Sequence, residues 1–223
     1  LRHSDEEIER YDRLIRERRD VIVRLARDLS AKRTDAAKQM TKIVRRELDT
    51  LKMGQTQFVI QLSTKEGDEA YGADGADRAE FVLSANAGEP LKPLSRVASG
   101  GELSRVMLAL KSALAGADRV PVIIFDEIDT GVGGAVAAAI GKRLKELGRV
   151  HQVLCVTHLP QVASQATHHL CLEKSQVKNR TVTTVRRLSR VERESEIARM
   201  LGGEIVTKKV RETAAELISG GSE

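Results

Sequence analysis

Two apolar runs, each ending in polar residues and separated by an amphipathic segment, constrain the fold of this 223-residue chain most strongly. The runs are VPVIIFDE, residues 120–127, and QVLCVTH, residues 152–158. Apolar runs without alternation are typical of strands buried on both faces, as in parallel sheets. Helices are expected before and between them, from about Glu102 to Leu114 and from about Gly134 to Gly148. This order predicts an α/β fold, a parallel sheet with crossover helices.

Outside this α/β region, the apolar residues recur at other spacings along the sequence. Residues 4 to about 53 are rich in charge and carry apolar residues at helical spacing, which predicts a helix pair or the foot of a coiled coil. From Gly54 the period falls to two in FVIQL and EFVLSAN, which predicts a small antiparallel meander. Farther on, HHLCLEK and RTVTTVRRL predict a hairpin, and SEIARML and VRETAAELI predict two short helices. We therefore divide the chain into a helical arm, residues 1–53, and a globular lobe, residues 54–223.

The composition narrows the class of protein. A formal net charge of +5 permits contact with nucleic acid, although such an excess often serves only solubility. Cys155 and Cys171 lie in strand-like runs without CxxC spacing, which predicts reduced, buried thiols. No apolar stretch reaches the roughly 18 residues of a membrane span, and the charged start is unlike a signal peptide. We therefore expect a cytoplasmic protein that does not contact a membrane; its start at Leu1 suggests an excised or processed piece.

Adjacent carboxylates, Asp126 and Glu127, end the first apolar run. The carboxyl ends of parallel strands are where open sheets bind ligands, and two close negative charges favour a hard cation such as Mg²⁺. Taken alone, the pair is explained equally well by a helix cap or a surface turn. The next strand ends in Thr157 and His158, so His158 is placed to donate a hydrogen bond to an anion at the same edge. A lone histidine at a strand end is more often structural.

The stretch VASGGELSRVMLALKSAL, residues 97–114, puts Ser99, Gly100 and Gly101 directly before an amphipathic helix. The unpaired N–H groups and the positive dipole at a helix start attract phosphate, and glycine lets phosphate approach the amides closely. Ser99 is expected to cap the helix, with Glu102 in its first turn. For SGGE taken alone, a tight turn with a cap is the simpler interpretation.

A P-loop, GxxxxGK[ST], is missing from the sequence. The only Gly-Lys pair, Gly141-Lys142, falls in the middle of a predicted helix. The chain therefore has carboxylates for a metal, a polar side chain at the next strand end and an anion site, but no cradle for a triphosphate.

Three strings together resemble the ATP-binding-cassette head of the SMC-like DNA repair ATPases: EPLKPLSRVASGGELSRVMLALKSAL, VIIFDEIDTGVGGAVAAAIGKRLKEL and QVLCVTHLPQVASQATHH. The resemblance runs from about residue 4 to residue 219. It implies the C-terminal lobe of a P-loop NTPase head, with the P-loop in an amino-terminal lobe beyond a long antiparallel coiled coil. The first fifty residues would then be the returning arm of that coil, and the chain alone is expected to be inactive.

The resemblance also implies roles for the carboxylates and the histidine. Asp126, in the Walker B motif, would hold Mg²⁺ through water, and Glu127 would be the general base for the attacking water. His158 would be the switch histidine that contacts the γ-phosphate of ATP. Asp129, in the D-loop string DTGVGG, would help to align the two active sites across a dimer.

The SGGE string would be the signature motif of such a head. Ser99, Gly100 and Gly101 would reach the γ-phosphate of a nucleotide held by the opposite subunit, with Glu102 beside them where transporter-type relatives have glutamine. The implied function is ATP hydrolysis coupled to DNA binding in double-strand break repair and recombination, near the nucleoid. The implied partners are the P-loop half of the same protein, a second head in an ATP-sandwiched homodimer, and DNA.

Two other functions fit parts of the sequence. A metal-dependent hydrolase would use Asp126, Glu127, Asp129 and His158 directly, but it leaves the SGGE string unexplained. A DNA-binding and assembly module would use the basic residues of the first fifty instead. Those residues are Arg24, Arg27, Lys32, Arg33, Lys38, Lys42, Arg45 and Arg46.

Overall fold

The computed structural model describes residues 2–65, 70–86, 88–96, 99–177, 180–203 and 205–220. The elements, in chain order, are α1 (Arg2–Thr50), β1 (Gln57–Thr64), β2 (Asp77–Ser84), β3 (Lys92–Pro93), a 3-10 turn (Leu94–Arg96), α2 (Gly100–Leu114), β4 (Val122–Phe125), α3 (Gly134–Leu147), β5 (Gln152–Cys155), α4 (Pro160–Ala163), β6 (Leu170–Val177), β7 (Arg180–Arg187), α5 (Arg190–Gly202) and α6 (Lys208–Gly220).

The chain forms two compact units. One comprises Leu1–Arg46 and Gln55–Arg96, and the other comprises Glu47–Gly54 and Val97–Glu223. The small sheet thus groups with α1 rather than with the parallel strands. This partition differs from the division into residues 1–53 and 54–223 that we made from the sequence. The assignment of the first 53 residues to an arm stays a prediction.

The first unit combines one long helix with a small sheet. α1 is continuous over 49 residues, so this segment is not a helix pair within the chain. Several apolar side chains in its first half are exposed, among them Ile15 at 62% and Leu25 at 60%. β1 and β2 pair antiparallel, with Phe58 opposite Leu83, and β3 extends the sheet next to β2. The predicted meander is confirmed.

Asp77, the first residue of β2, ties this sheet to α1. Its carboxylate accepts a hydrogen bond from the Ser30 hydroxyl at 2.7 Å and pairs with the Arg33 guanidinium at 3.2 Å. The side chain is 4% exposed. The Ser30 hydrogen bond and the Arg33 charge hold the pKa of Asp77 below its ordinary value, against the opposing effect of burial.

The second unit contains the predicted parallel pair. β4 and β5 run parallel with Ile123 opposite Val153, α3 crosses between them, and α2 precedes β4. The predicted α/β order is confirmed. The expectation that the strands are buried on both faces is wrong, because burial alternates along β4. Phe125 is 3% exposed whereas Ile124 is 68% exposed, so one face of this pair is uncovered in the chain.

The end of the chain packs as a helical cluster beside a hairpin. β6 and β7 pair antiparallel, with Leu172 opposite Val185, as predicted. α5 and α6 are each 13 residues long, longer than predicted, and pack through Ile197, Ala198 and Ala214. Both cysteines are free but only half-buried, which corrects the expectation of buried thiols. None of the helices in the described ranges combines the length and apolar character that crossing a bilayer requires.

Candidate functional site

The start of α2 has the capping geometry predicted from the sequence. The helix begins at Gly100, and the Ser99 side chain accepts a hydrogen bond from the Glu102 amide at 3.4 Å. The first intrahelical bond runs from the Leu103 amide to the Ser99 carbonyl at 2.9 Å. Within the part of the chain that the structure describes, the amides of Gly100 and Gly101 have no acceptor. This helix start therefore offers two N–H groups to an anion.

The two carboxylates follow β4 directly, in a loop with an unusual backbone. Asp126 and Glu127 are both exposed, and the Glu127 amide donates to the Asp126 carboxylate at 2.9 Å. Glu127 has φ +56°, a left-handed conformation that costs a non-glycine residue roughly 1–2 kcal/mol. Such a conformation persists only when the surroundings hold it.

Side chains of α2 hold this loop through its carbonyl oxygens. The Ser104 hydroxyl donates to the Asp126 carbonyl at 2.8 Å. The Arg105 guanidinium donates to the carbonyls of Ile128 at 3.3 Å and Thr130 at 3.1 Å. Arg105 is only 8% exposed, and burial lowers its pKa although Glu102 partly opposes the shift. The signature-like helix and the carboxylate loop are thus bonded together at three carbonyls.

The glycine pair allows the loop to approach the helix. A Cβ atom on Gly100 would lie 2.3 Å from Oε2 of Glu127. A Cβ atom on Gly101 would lie 3.1 Å from the Glu127 carbonyl oxygen and 3.2 Å from Cβ of Thr130. Any side chain at either position would therefore push against the loop that carries the carboxylates.

The end of the second parallel strand is connected to the same loop by Asp129. Oδ2 of Asp129 accepts hydrogen bonds from the Thr157 hydroxyl at 2.5 Å and from the His158 amide at 3.0 Å. It also lies 3.3 Å from Nδ1 of the His158 ring. The Asp129 side chain is 4% exposed, whereas the His158 side chain is 73% exposed.

The structure therefore brings the sequence-predicted residues together in two contacting groups. Gly100 and Gly101 pack on Glu127, next to Asp126, and Asp129 contacts His158. No contact joins His158 to either exposed carboxylate among the described residues. Over those ranges no three His, Cys, Asp or Glu side chains cluster as a metal site, so the hydrolase alternative gains no support. A single carboxylate remains compatible with Mg²⁺ that is also bound by phosphates and water.

Two residues of this arrangement were missed by sequence reasoning, Ser104 and Arg105. The signal for Arg105 was available, because it lies on the same helical face as the buried Leu108 and Ala109, where a charged side chain needs a buried partner. Nothing in the sequence singled out Ser104.

The Gly-Lys pair lies inside α3, as predicted, and has a packing explanation. A Cβ atom on Gly141 would lie 2.9 Å from the Gln161 carbonyl oxygen and 3.2 Å from Cα of Val162. Gly141 thus lets α3 approach α4 closely, while Lys142 is exposed to solvent. The pair is not part of a phosphate-binding loop.

Cys155 ends β5 near the carboxylates. Burial, together with the negative charges of Asp129 and Asp126, raises the pKa of its thiol to about 12. The thiol is therefore a poor nucleophile at neutral pH.

Comparison with solved structures defines the class of fold. The chain is similar to the Smc head domain with a coiled coil and joint from Pyrococcus yayanosii, with a TM-score of 0.52, 21% identity, and coverage of 74% of this chain and 29% of that one. It is also similar to a Smc head domain from Pyrococcus furiosus bound to the C-terminal domain of ScpA, with a TM-score of 0.50, 20% identity, and coverage of 76% and 39%. The fold is that of an SMC-type head domain. No family model matches the chain.

The chain is also similar, at higher identity, to several proteins named DNA repair protein RecN. The chain is 41% identical over 218 residues to the DNA repair protein RecN of Xylella fastidiosa (strain 9a5c), which covers 98% of this chain and 39% of that protein. It is 42% identical over 218 residues to RecN of Halalkalibacterium halodurans, covering 97% and 38%. It is 46% identical over 194 residues to RecN of Rickettsia conorii, covering 87% and 35%. The chain is thus similar to RecN proteins over most of its own length and spans about two fifths of the length of these relatives.

Proposed function

We propose that this chain is the C-terminal lobe of the ATP-hydrolysing head of a RecN protein, active only when joined to a lobe that supplies a P-loop. One observation carries the proposal. The helix that presents the amides of Gly100 and Gly101, which have no acceptor among the described residues, also holds, through Ser104 and Arg105, the loop that carries Asp126 and Glu127. An anion-binding helix start and two exposed carboxylates are thus parts of one bonded assembly, which would hold both groups in place for phosphoryl transfer, each toward a different nucleotide of a dimer.

In this proposal the exposed carboxylates act on the chain's own nucleotide. Glu127 accepts the proton of the attacking water as general base. Asp126 would hold Mg²⁺, which neutralises negative charge on the phosphates when it is bound. The exposed ring of His158 donates to the γ-phosphate.

The helix start acts on the nucleotide of the opposite subunit. The amides of Gly100 and Gly101 and the Ser99 hydroxyl donate to its γ-phosphate, with Glu102 in the same turn. A dimer of heads would then enclose two ATP molecules, and Asp129 would help to align the two sites.

The uncovered face of the parallel pair supports a missing lobe. Exposed apolar side chains on this face include Ile124 at 68%, Val156 at 59% and Leu154 at 42%. Parallel strands are normally covered on both faces, and two strands alone make a marginal sheet. We assign this face to the P-loop lobe of the same protein, which agrees with a chain that spans two fifths of its relatives.

The wider biological role in the proposal rests on the relatives. They are named DNA repair proteins, and the proposed role is ATP-driven head dimerisation coupled to DNA binding in double-strand break repair and recombination. A cytoplasmic, nucleoid-associated location follows from that role.

The test of the general base is Glu127→Gln in the complete head, with the P-loop lobe present. We expect turnover to fall about 10²–10⁴-fold, the contribution typical of a general base, while ATP binding is retained. Glu212→Gln, at an exposed glutamate on α6, is the matched control and should leave the rate unchanged. Turnover at the wild-type rate in Glu127→Gln would show that the base is assigned wrongly.

A second candidate, a DNA-binding and assembly module, is favoured by the exposed basic side chains of α1. Arg24, Arg27, Lys32, Lys38 and Lys42 are all exposed. If they bind DNA, the affinity of the isolated chain should fall steeply as the salt concentration rises, because phosphate contacts release counterions. Failure of the chain to bind DNA at low salt would refute this candidate function.

A further inference from the structure

The contacts of Asp129 are concentrated on one oxygen atom. Oδ2 accepts from the Thr157 hydroxyl and the His158 amide and lies beside the His158 ring. A buried carboxylate is costly unless it is hydrogen-bonded or paired with a positive charge. In the described ranges no lysine or arginine pairs with Asp129, so the stretch from Thr157 to His158 supplies all of its partners.

These contacts constrain both the backbone and the ring of His158. The Thr157 hydroxyl donates to Asp129 and accepts from the Leu159 amide at 3.0 Å, so the residues on either side of His158 are tied together. The ring itself has Nδ1 at 3.3 Å from Oδ2. A carboxylate can only accept, so this contact favours a proton on Nδ1 and leaves Nε2, on the opposite edge of the ring, to meet a ligand. Nε2 donates to a phosphate oxygen when it also carries a proton, and the negative charge of Asp129 stabilises that doubly protonated ring.

We propose that Asp129 is a positioning residue for His158, in addition to any role across the dimer. It fixes the direction and the protonated nitrogen of a ring that is otherwise exposed to solvent. This inference rests on the proposed function, because the ligand that His158 meets is the γ-phosphate. At metal sites, carboxylates that accept a hydrogen bond from a histidine ring orient that ring in the same way.

The activity test is a double-mutant cycle in the complete head. Asp129→Asn keeps the size of the side chain but removes its negative charge and replaces one carboxylate oxygen with an NH2 group, which donates and cannot accept. We expect kcat to fall about 10–100-fold, as for other residues that orient a histidine, with little change in KM for ATP. In a His158→Ala background the same substitution should change kcat by less than about twofold. Equal losses in both backgrounds would overturn the inference.

A second pair of variants covers the case in which Asp129→Asn does not fold. Thr157→Val removes the hydroxyl that donates to Asp129, whereas Thr157→Ser keeps it. We expect the valine variant to lose turnover and the serine variant to keep most of it. Equal rates for the two variants would count against positioning through Asp129.

A spectroscopic readout separates this inference from the proposed function. Nitrogen chemical shifts of the His158 ring, assigned with His158→Gln, should report a proton on Nδ1 in the wild-type head and a loss of that proton in the Asp129→Asn and Thr157→Val variants. Unchanged shifts in both variants would refute positioning by Asp129. Normal turnover in His158→Ala or Glu127→Gln would instead refute the proposed function, whatever the ring reports.

Discussion

Alanine substitutions at Gly100 and Gly101 should differ in their effect on the free energy of unfolding, because the two positions face different atoms. At Gly100 the new Cβ would meet only the Glu127 side chain, with its nearest atom, Oε2, at 2.3 Å. A carboxylate at the end of a flexible side chain can rotate away, at a cost of about 0.5–1.5 kcal/mol. Alanine regains up to about 1 kcal/mol of helix propensity. The free energy of unfolding should therefore change by less than about 1 kcal/mol.

At Gly101 the new Cβ would meet backbone, which gives way less easily than the end of a side chain. The Glu127 carbonyl oxygen lies at 3.1 Å, and Arg105 Nη1 and Thr130 Cβ lie at 3.2 Å, so the backbone of the loop itself must shift. Overpacking of this kind costs about 1–3 kcal/mol. Both substitutions should lower turnover in the complete head, because each blocks close approach of phosphate to the amides. The loss at Gly100 should be about 10–100-fold, somewhat less than removal of a whole donor.

The measurements are denaturant unfolding and ATP turnover, with Gly116→Ala as the control. Nothing lies within 4 Å of a Cβ atom at Gly116, so neither quantity should change there. The reasoning is refuted if Gly100→Ala is destabilised as strongly as Gly101→Ala, or if it turns over at the wild-type rate.

Three further predictions follow from single contacts. Gly141→Ala should cost about 1–3 kcal/mol in unfolding experiments, because its Cβ would meet backbone at 2.9 Å, whereas Lys142→Ala should leave stability and turnover unchanged; a turnover defect in the lysine variant would contradict this. With a pKa of about 12, Cys155 should be alkylated at pH 8 roughly a thousandfold more slowly in the folded than in the denatured chain, measured by mass spectrometry, and equal rates would disprove its protection. Because folding lowers the pKa of Asp77, the ionised carboxylate stabilises the fold fully above its ordinary pKa of 3.8, and this stabilisation is lost as the pH falls below that value. Asp77→Asn should therefore flatten the pH dependence of the free energy of unfolding in that acid range. An unchanged slope of this free energy against pH would contradict the prediction.

Comparison of the sequence predictions with the structure shows which kind of signal is reliable. The cap at Ser99, the meander, the parallel pair and the hairpin were all predicted, because the residue period within each segment and the signals at its ends are local. The burial of β4 was predicted wrongly. An apolar run shows that a strand can be buried on both faces, but it does not show whether this chain contains the residues that would pack on each face. The roles assigned to the site residues stay predictions.

By itself, the sequence determined the order of helices and strands and the motifs at their ends, since periodicity, capping and apolar runs act over a few residues. Only the tertiary structure decided that Ser104 and Arg105 hold the carboxylate loop, that Glu127 adopts a left-handed backbone against Gly100, and that Asp129 turns inward to Thr157 and His158. These contacts join residues that are about 22 to 29 positions apart. Their directions depend on how α2, β4 and β5 pack, which no local pattern encodes.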